Sequence, residues 1–62
     1  MTLTPQQRHA LLRVYQRALT ADTPTTLTYL QFRRQVQPGP GCIMVPWAGM
    51  WLGIEPDGYT HS

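Results

Sequence analysis

The chain has no lysine, no asparagine, one cysteine and three acidic residues in 62 positions. Each scarcity excludes something. A lone Cys42 rules out an internal disulfide. One cysteine with two histidines, His9 and His61, falls short of a four-ligand zinc site unless acidic ligands or a second chain contribute. Neither a metal nor a cofactor is therefore expected. No apolar run approaches the roughly 18 residues that a membrane span needs. Nor does the N-terminus show a charged start, an apolar run and a cleavage site in succession, so no signal peptide is expected. A free thiol then makes the cytoplasm the default setting.

What is present is 42% hydrophobic and only 13% charged. That composition reads as globular, with the lightly charged surface of a chain that works bound to something. At this length one small domain spanning 1–62 is expected. A fold of about 60 residues buries only roughly 60% of its unfolded surface, so tight packing or homodimerisation must compensate. All five basic residues are arginine, and the charge is lopsided. Residues 1–37 hold the five arginines against Asp22, a balance of +4; residues 38–62 hold Glu55 and Asp57, a balance of −2.

The pattern predicts two helices followed by β structure. In "LTPQQRHALLRVYQRALTAD", Thr4 suits an N-cap, Pro5 the first helical position and Gln7 the capping-box partner. The helix should run from Pro5 to Thr20. Leu11, Leu12, Tyr15, Ala18 and Leu19 form its apolar arc, with Val14 on the flank. The β-branched threonines of "ADTPTTLT" favour a loop, with Thr28 as the next N-cap. "YLQFRRQVQ" reads as a short helix to about Gln37, burying Tyr29, Phe32 and Val36. The helical, basic half is thus 1–37. "PGPG", residues 38–41, reads as a linker, and 42–62 as the β half.

"CIMVPW" and "MWLGIE" read as two strands joined at Ala48-Gly49, which sets Trp47 opposite Met50, Val45 opposite Leu52 and Ile43 opposite Ile54. Those six residues make one apolar face, the expected core. "EPDG" is a type I turn. It returns "YTHS" as a third strand, with Tyr59 facing the core. The fold class is therefore α+β: two N-terminal helices packed on a C-terminal antiparallel hairpin or three-stranded meander.

Two surfaces are candidates for function. On the second sheet face, Trp51 lies with Met44 and Pro46, either as a partner-binding patch or as a surface covered by the third strand, a terminus or a helix. On the helices, Arg13 and Arg17 share a face with His9, and Arg33 and Arg34 lie on the outer face of the next helix. They read as contacts for phosphates or an acidic protein, or as a solvated helix face. Catalysis is not expected. His61 is topologically nearest to Cys42, but two residues without an orienting third do not make a nucleophilic site. Asp57 is a turn residue, and the glycines fit no phosphate-cradling pattern.

At "FRRQVQPGPG" and "GMWLGIEPDGYTHS" the chain resembles short accessory proteins of bacteriophages and prophages of GC-rich bacteria, the size class that includes anti-CRISPR and other anti-defence proteins. The resemblance covers about half the chain. It implies a non-enzymatic inhibitor or modulator that binds a host protein or ribonucleoprotein in the bacterial cytoplasm. The class shares no motif, so it assigns no functional residue. Two alternatives stand beside it: a nucleic-acid-binding regulator using the arginines, and a structural homodimer.

Overall fold

The computed structural model describes residues 2–62. The fold is α+β: helix α1 (Pro5–Leu19), a short helix α2 (Tyr29–Arg34) and four strands, β1 (Gln37–Gly39), β2 (Cys42–Trp47), β3 (Met50–Ile54) and β4 (Thr60–His61). Each helix starts on a complete capping box. Thr4 Oγ1 accepts from the Gln7 amide at 3.0 Å while Gln7 Oε1 accepts from the Thr4 amide at 2.9 Å. Thr28 and Gln31 repeat the arrangement at 3.2 and 2.9 Å. Two of the exposed amides at each helix start are satisfied reciprocally, so both start points are fixed by local chemistry.

The buried stripe of α1 is Gln7, Ala10, Leu11, Val14 and Ala18. It is rotated from the expected arc, since Leu12 and Leu19 stand 43% and 45% exposed. The cause is Gln7. Its Nε2 donates to the Ile54 carbonyl oxygen at 3.1 Å, which seats the start of the helix over β3 and turns Ala10 and Val14 inward. Tyr15 fastens α1 to the following segment. Its hydroxyl donates to the Leu27 carbonyl at 2.7 Å, and its ring meets Tyr29 and Phe32 at centroid distances of 5.5 and 5.4 Å.

The second helix stops at Arg34, short of the expected Gln37. Gln37 precedes Pro38, which disfavours the α conformation, and it pairs with Met44 in the sheet instead. "PGPG" is correspondingly not a linker. Pro38 and Gly39 belong to β1, and Pro40-Gly41 is the hairpin turn, with Gly41 at φ +71°. Pro38 has no amide to donate, which suits an edge strand.

The four strands form an antiparallel meander in the order β1-β2-β3-β4, one strand more than expected. The central register matches the expectation, with Ile43 opposite Ile54, Val45 opposite Leu52 and Trp47 opposite Met50. The Ala48-Gly49 turn places both residues at positive φ, 50° and 78°. That backbone carries the right-handed strand twist through a two-residue loop.

The core lies between the helices and one sheet face: Leu3, Ala10, Leu11, Val14, Phe32, Val36, Ile43, Val45 and Ile54, with Tyr15, Tyr29, Trp47 and Leu52 partly buried against it. Trp47 and Leu52 are thus on the core side but not enclosed, and Met50 is 49% exposed. The helices cover the middle of the sheet and leave the hairpin tip free. Tyr59 does not face the core and is 67% exposed. Ile54 pairs with Thr60 and Gly53 with His61, so alternation sends Tyr59 and His61 to the outer face together. Their rings stack there at 6.2 Å. The Glu55–Gly58 turn is closed by the Gly58 amide donating to the Glu55 carbonyl, and Thr4 Oγ1 pins it to the helix start through the Pro56 carbonyl at 2.6 Å.

Candidate functional site

The outer sheet face is ordered by register. Met44 lies between Gln37 and Gly53, and Gly53 between Met44 and His61; Cys42 faces Gly39, and Pro46 faces Trp51. Every one of these side chains points away from the helices, because the alternate residues Ile43, Val45 and Ile54 are in the core. Neither helix nor any other described segment covers this face at Trp51, whose exposure is 50%. Met44 and Pro46 beside it are half-buried. Glycine makes the face unusually flat at two points. A Cβ at Gly39 would meet Met44 Cγ at 2.8 Å, and one at Gly53 would meet His61 Cε1 at 2.6 Å. Both neighbouring side chains lie across bare backbone.

The arginines belong to a different surface. Arg13 projects from the side of α1 away from its buried stripe, Arg17 flanks that stripe, and both are exposed, as is Arg34; Arg33 is half-buried. The helices sit on the inner sheet face, so the α1 arginines and Trp51 look out from opposite layers. Among the described residues none of these four arginines forms an ion pair. The seven candidate contact residues therefore divide into a sheet surface with Trp51, Met44 and Pro46, and a helix surface with Arg13 and Arg17 at its centre.

The outer face also assembles a group that sequence spacing left incomplete. His61 Nε2 and Glu55 Oε2 are 2.8 Å apart, with side-chain exposures of 43% and 40%. Cys42 stands beside them, and its thiol donates to Met44 Sδ at 3.7 Å. Glu55 is the third residue that the Cys42–His61 pairing lacked. The signal that finds it is the register of β4. Once Gly53 faces His61, Glu55 and His61 share a face; a third strand with Tyr59 turned inward hides that relation.

A cleft of about 440 Å³ opens between the end of α1, the following loop and the hairpin tip, with Asp22, Leu27, Phe32, Pro46, Trp47 and Ala48 in its wall. Its size is in the range of small-molecule sites. Asp22 is the one carboxylate in its lining, which otherwise consists of threonine, glutamine and apolar residues.

No protein-family model, curated protein or solved structure matches this chain. No helix among the described residues is long and apolar enough to cross a membrane.

Proposed function

We propose that this protein is a small non-enzymatic interaction module, a modulator of the phage accessory type, which binds a host protein through the outer face of its sheet. One observation carries the reading. Trp51 lies half exposed on a sheet face that no described segment covers, flanked by Pro46 and Met44. Tryptophan and methionine are enriched at interface cores, and a flat rigid strand surface holds them in place before the partner arrives. Binding there inhibits by occlusion, because a domain of this size covers a partner's site without any chemistry. The host protein can be free or part of a ribonucleoprotein, with cytoplasmic encounter following from the free thiol.

A second reading draws on Arg13 and Arg17, exposed and unpaired on α1. It makes the chain a nucleic-acid-binding regulator whose affinity falls steeply with salt. The two readings use opposite layers of the molecule, so they separate cleanly. Tagged protein is used to capture partners from a bacterial lysate, with and without nuclease, in parallel with Trp51→Ala and with Arg13→Glu/Arg17→Glu. The interaction reading expects a protein band that survives nuclease, vanishes with Trp51→Ala and persists with the charge reversal. Loss on nuclease treatment, or loss with the arginine variant alone, moves the function to the helix surface.

Neither variant should unfold the chain. Trp51→Ala removes a half-exposed side chain from the outer face of a central strand and should shift stability by no more than about 1 kcal/mol. The double reversal touches exposed, unpaired groups, and the urea midpoint should stay within about 0.5 kcal/mol of the parent. A large loss of stability in Arg13→Glu/Arg17→Glu would make the stripe structural.

A further inference from the structure

We propose that Cys42, Glu55 and His61 form a binding site for a single zinc-like divalent cation, joining β2, the turn that follows β3, and β4 across the outer sheet face. One donor atom from each residue, a sulfur, a carboxylate oxygen and an imidazole nitrogen, lies within 4.8 Å of the other two. Tetrahedral zinc with bonds of about 2.0–2.3 Å holds its donors roughly 3.3–3.6 Å apart. The cluster is thus about an ångström of side-chain rotation from that arrangement, with the 2.8 Å His61–Glu55 pair opening slightly to admit the ion. Cys42 is held by its pairing with Gly39, His61 by its pairing with Gly53, and Glu55 by the closed turn, so side-chain rotation alone brings the donors together.

The donor chemistry selects the ion class. Thiolate with imidazole favours a borderline cation such as Zn²⁺ over the hard cations that all-oxygen sites take, and one carboxylate brings the set to three. Three protein ligands leave a fourth position for water, the pattern of an open zinc site. The surroundings support the ligands. Gly53 leaves the space that the His61 ring occupies, and Tyr59 stacks on that ring at 6.2 Å. Met44 Sδ lies 3.7 Å from Cys42 Sγ, a weak S–H contact that the thiol gives up when it loses its proton to the ion. Two of the three ligands, Cys42 and Glu55, are half-buried, which limits competition from solvent. The consequence is mechanical. Strand β4 is two residues long at a sheet edge, and a bound ion ties it to the sheet's central strands. The site shares the outer sheet face and the neighbour Met44 with the Trp51 patch, but none of its three ligands is among the proposed partner contacts.

The test is titration of the reduced full chain with zinc chloride under a non-chelating reductant, read by calorimetry and by competition with a chromophoric chelator. One ion per chain is expected. Cys42→Ser, Glu55→Gln and His61→Ala should each weaken binding at least roughly tenfold, while His9→Ala, which removes the other histidine, leaves it unchanged. Free Zn²⁺ at a hundred times Kd should raise Tm by on the order of 10 °C in the parent and not in Cys42→Ser. Cobalt chloride gives a readout on the unsubstituted protein, an intense tetrahedral spectrum with a sulfur-to-cobalt charge-transfer band. Absence of saturable binding, one ion per two chains, a cobalt spectrum without the sulfur band, or binding lost only in His9→Ala would overturn the site.

Discussion

Leu11→Ala should be among the most damaging single truncations in this chain. Its urea midpoint should fall by an amount equivalent to about 3 kcal/mol, inside the 2–5 kcal/mol range for buried leucines. Leu11 is fully buried between the helices and the sheet, in the same cluster as Val45 and Ile54, which are also 0% exposed. So small a core has few neighbours able to collapse into the space. For 62 residues the whole stability is roughly 3–9 kcal/mol at 0.05–0.15 kcal/mol per residue. The substitution therefore removes a third of it or more, and Tm should drop by roughly 12–24 °C. Leu12→Ala is the control one residue away. Leu12 is 43% exposed, and its truncation should cost no more than about 0.5 kcal/mol. Equal effects at the two positions would mean that the helix is rotated from the orientation described. Circular dichroism followed against urea and against temperature decides between these outcomes.

That contrast also shows what the sequence could reveal. Local chemistry was legible. The Thr4–Gln7 capping box and Thr28 as the second N-cap could be read from the sequence, and the Ala48-Gly49 turn with its register follows from strict alternation; Gln31 as the partner of Thr28 is a finding of the structure. Features set by contacts between distant segments were not. The rotation of α1 depends on Gln7 reaching Ile54, 47 residues away, and nothing in the helix's own periodicity encodes that. Strand β1 was hidden because Val36-Gln37 continues the helical apolar pattern up to the proline. Only pairing with Cys42–Met44 makes Gln37–Gly39 a strand. The same holds for the outer face. The hairpin alone placed Trp51 on the second sheet face but left open whether a strand, terminus or helix covers it; its 50% exposure is a finding of the structure. The meeting of Cys42, Glu55 and His61 required the register of a two-residue strand, which no local signal fixes.

Gln7 supplies a prediction with an inverted sign. In an isolated helix, Gln→Glu at the third position should stabilise, because a carboxylate keeps the capping-box acceptor and complements the positive end of the helix dipole. In this protein Gln7→Glu should destabilise by about 2–4 kcal/mol. The side chain is 4% exposed, and its two ends do different work. Oε1 accepts from the Thr4 amide and Nε2 donates to the Ile54 carbonyl. A carboxylate retains the first bond and sets an oxygen against the Ile54 carbonyl in the second, leaving a buried charge without a donor on that side. Gln7→Ala loses both bonds but buries no charge. Its cost should be about 2 kcal/mol, the sum of a lost cap and an unpaired carbonyl. The ordering parent, then Ala, then Glu at neutral pH is the diagnostic result. Falling pH should narrow the Glu deficit, because a protonated carboxyl can donate to Ile54 as the amide does. If Gln7→Glu instead matches or exceeds the parent in urea melts, the bond to Ile54 contributes nothing, and the seating of α1 on β3 must come from apolar packing alone.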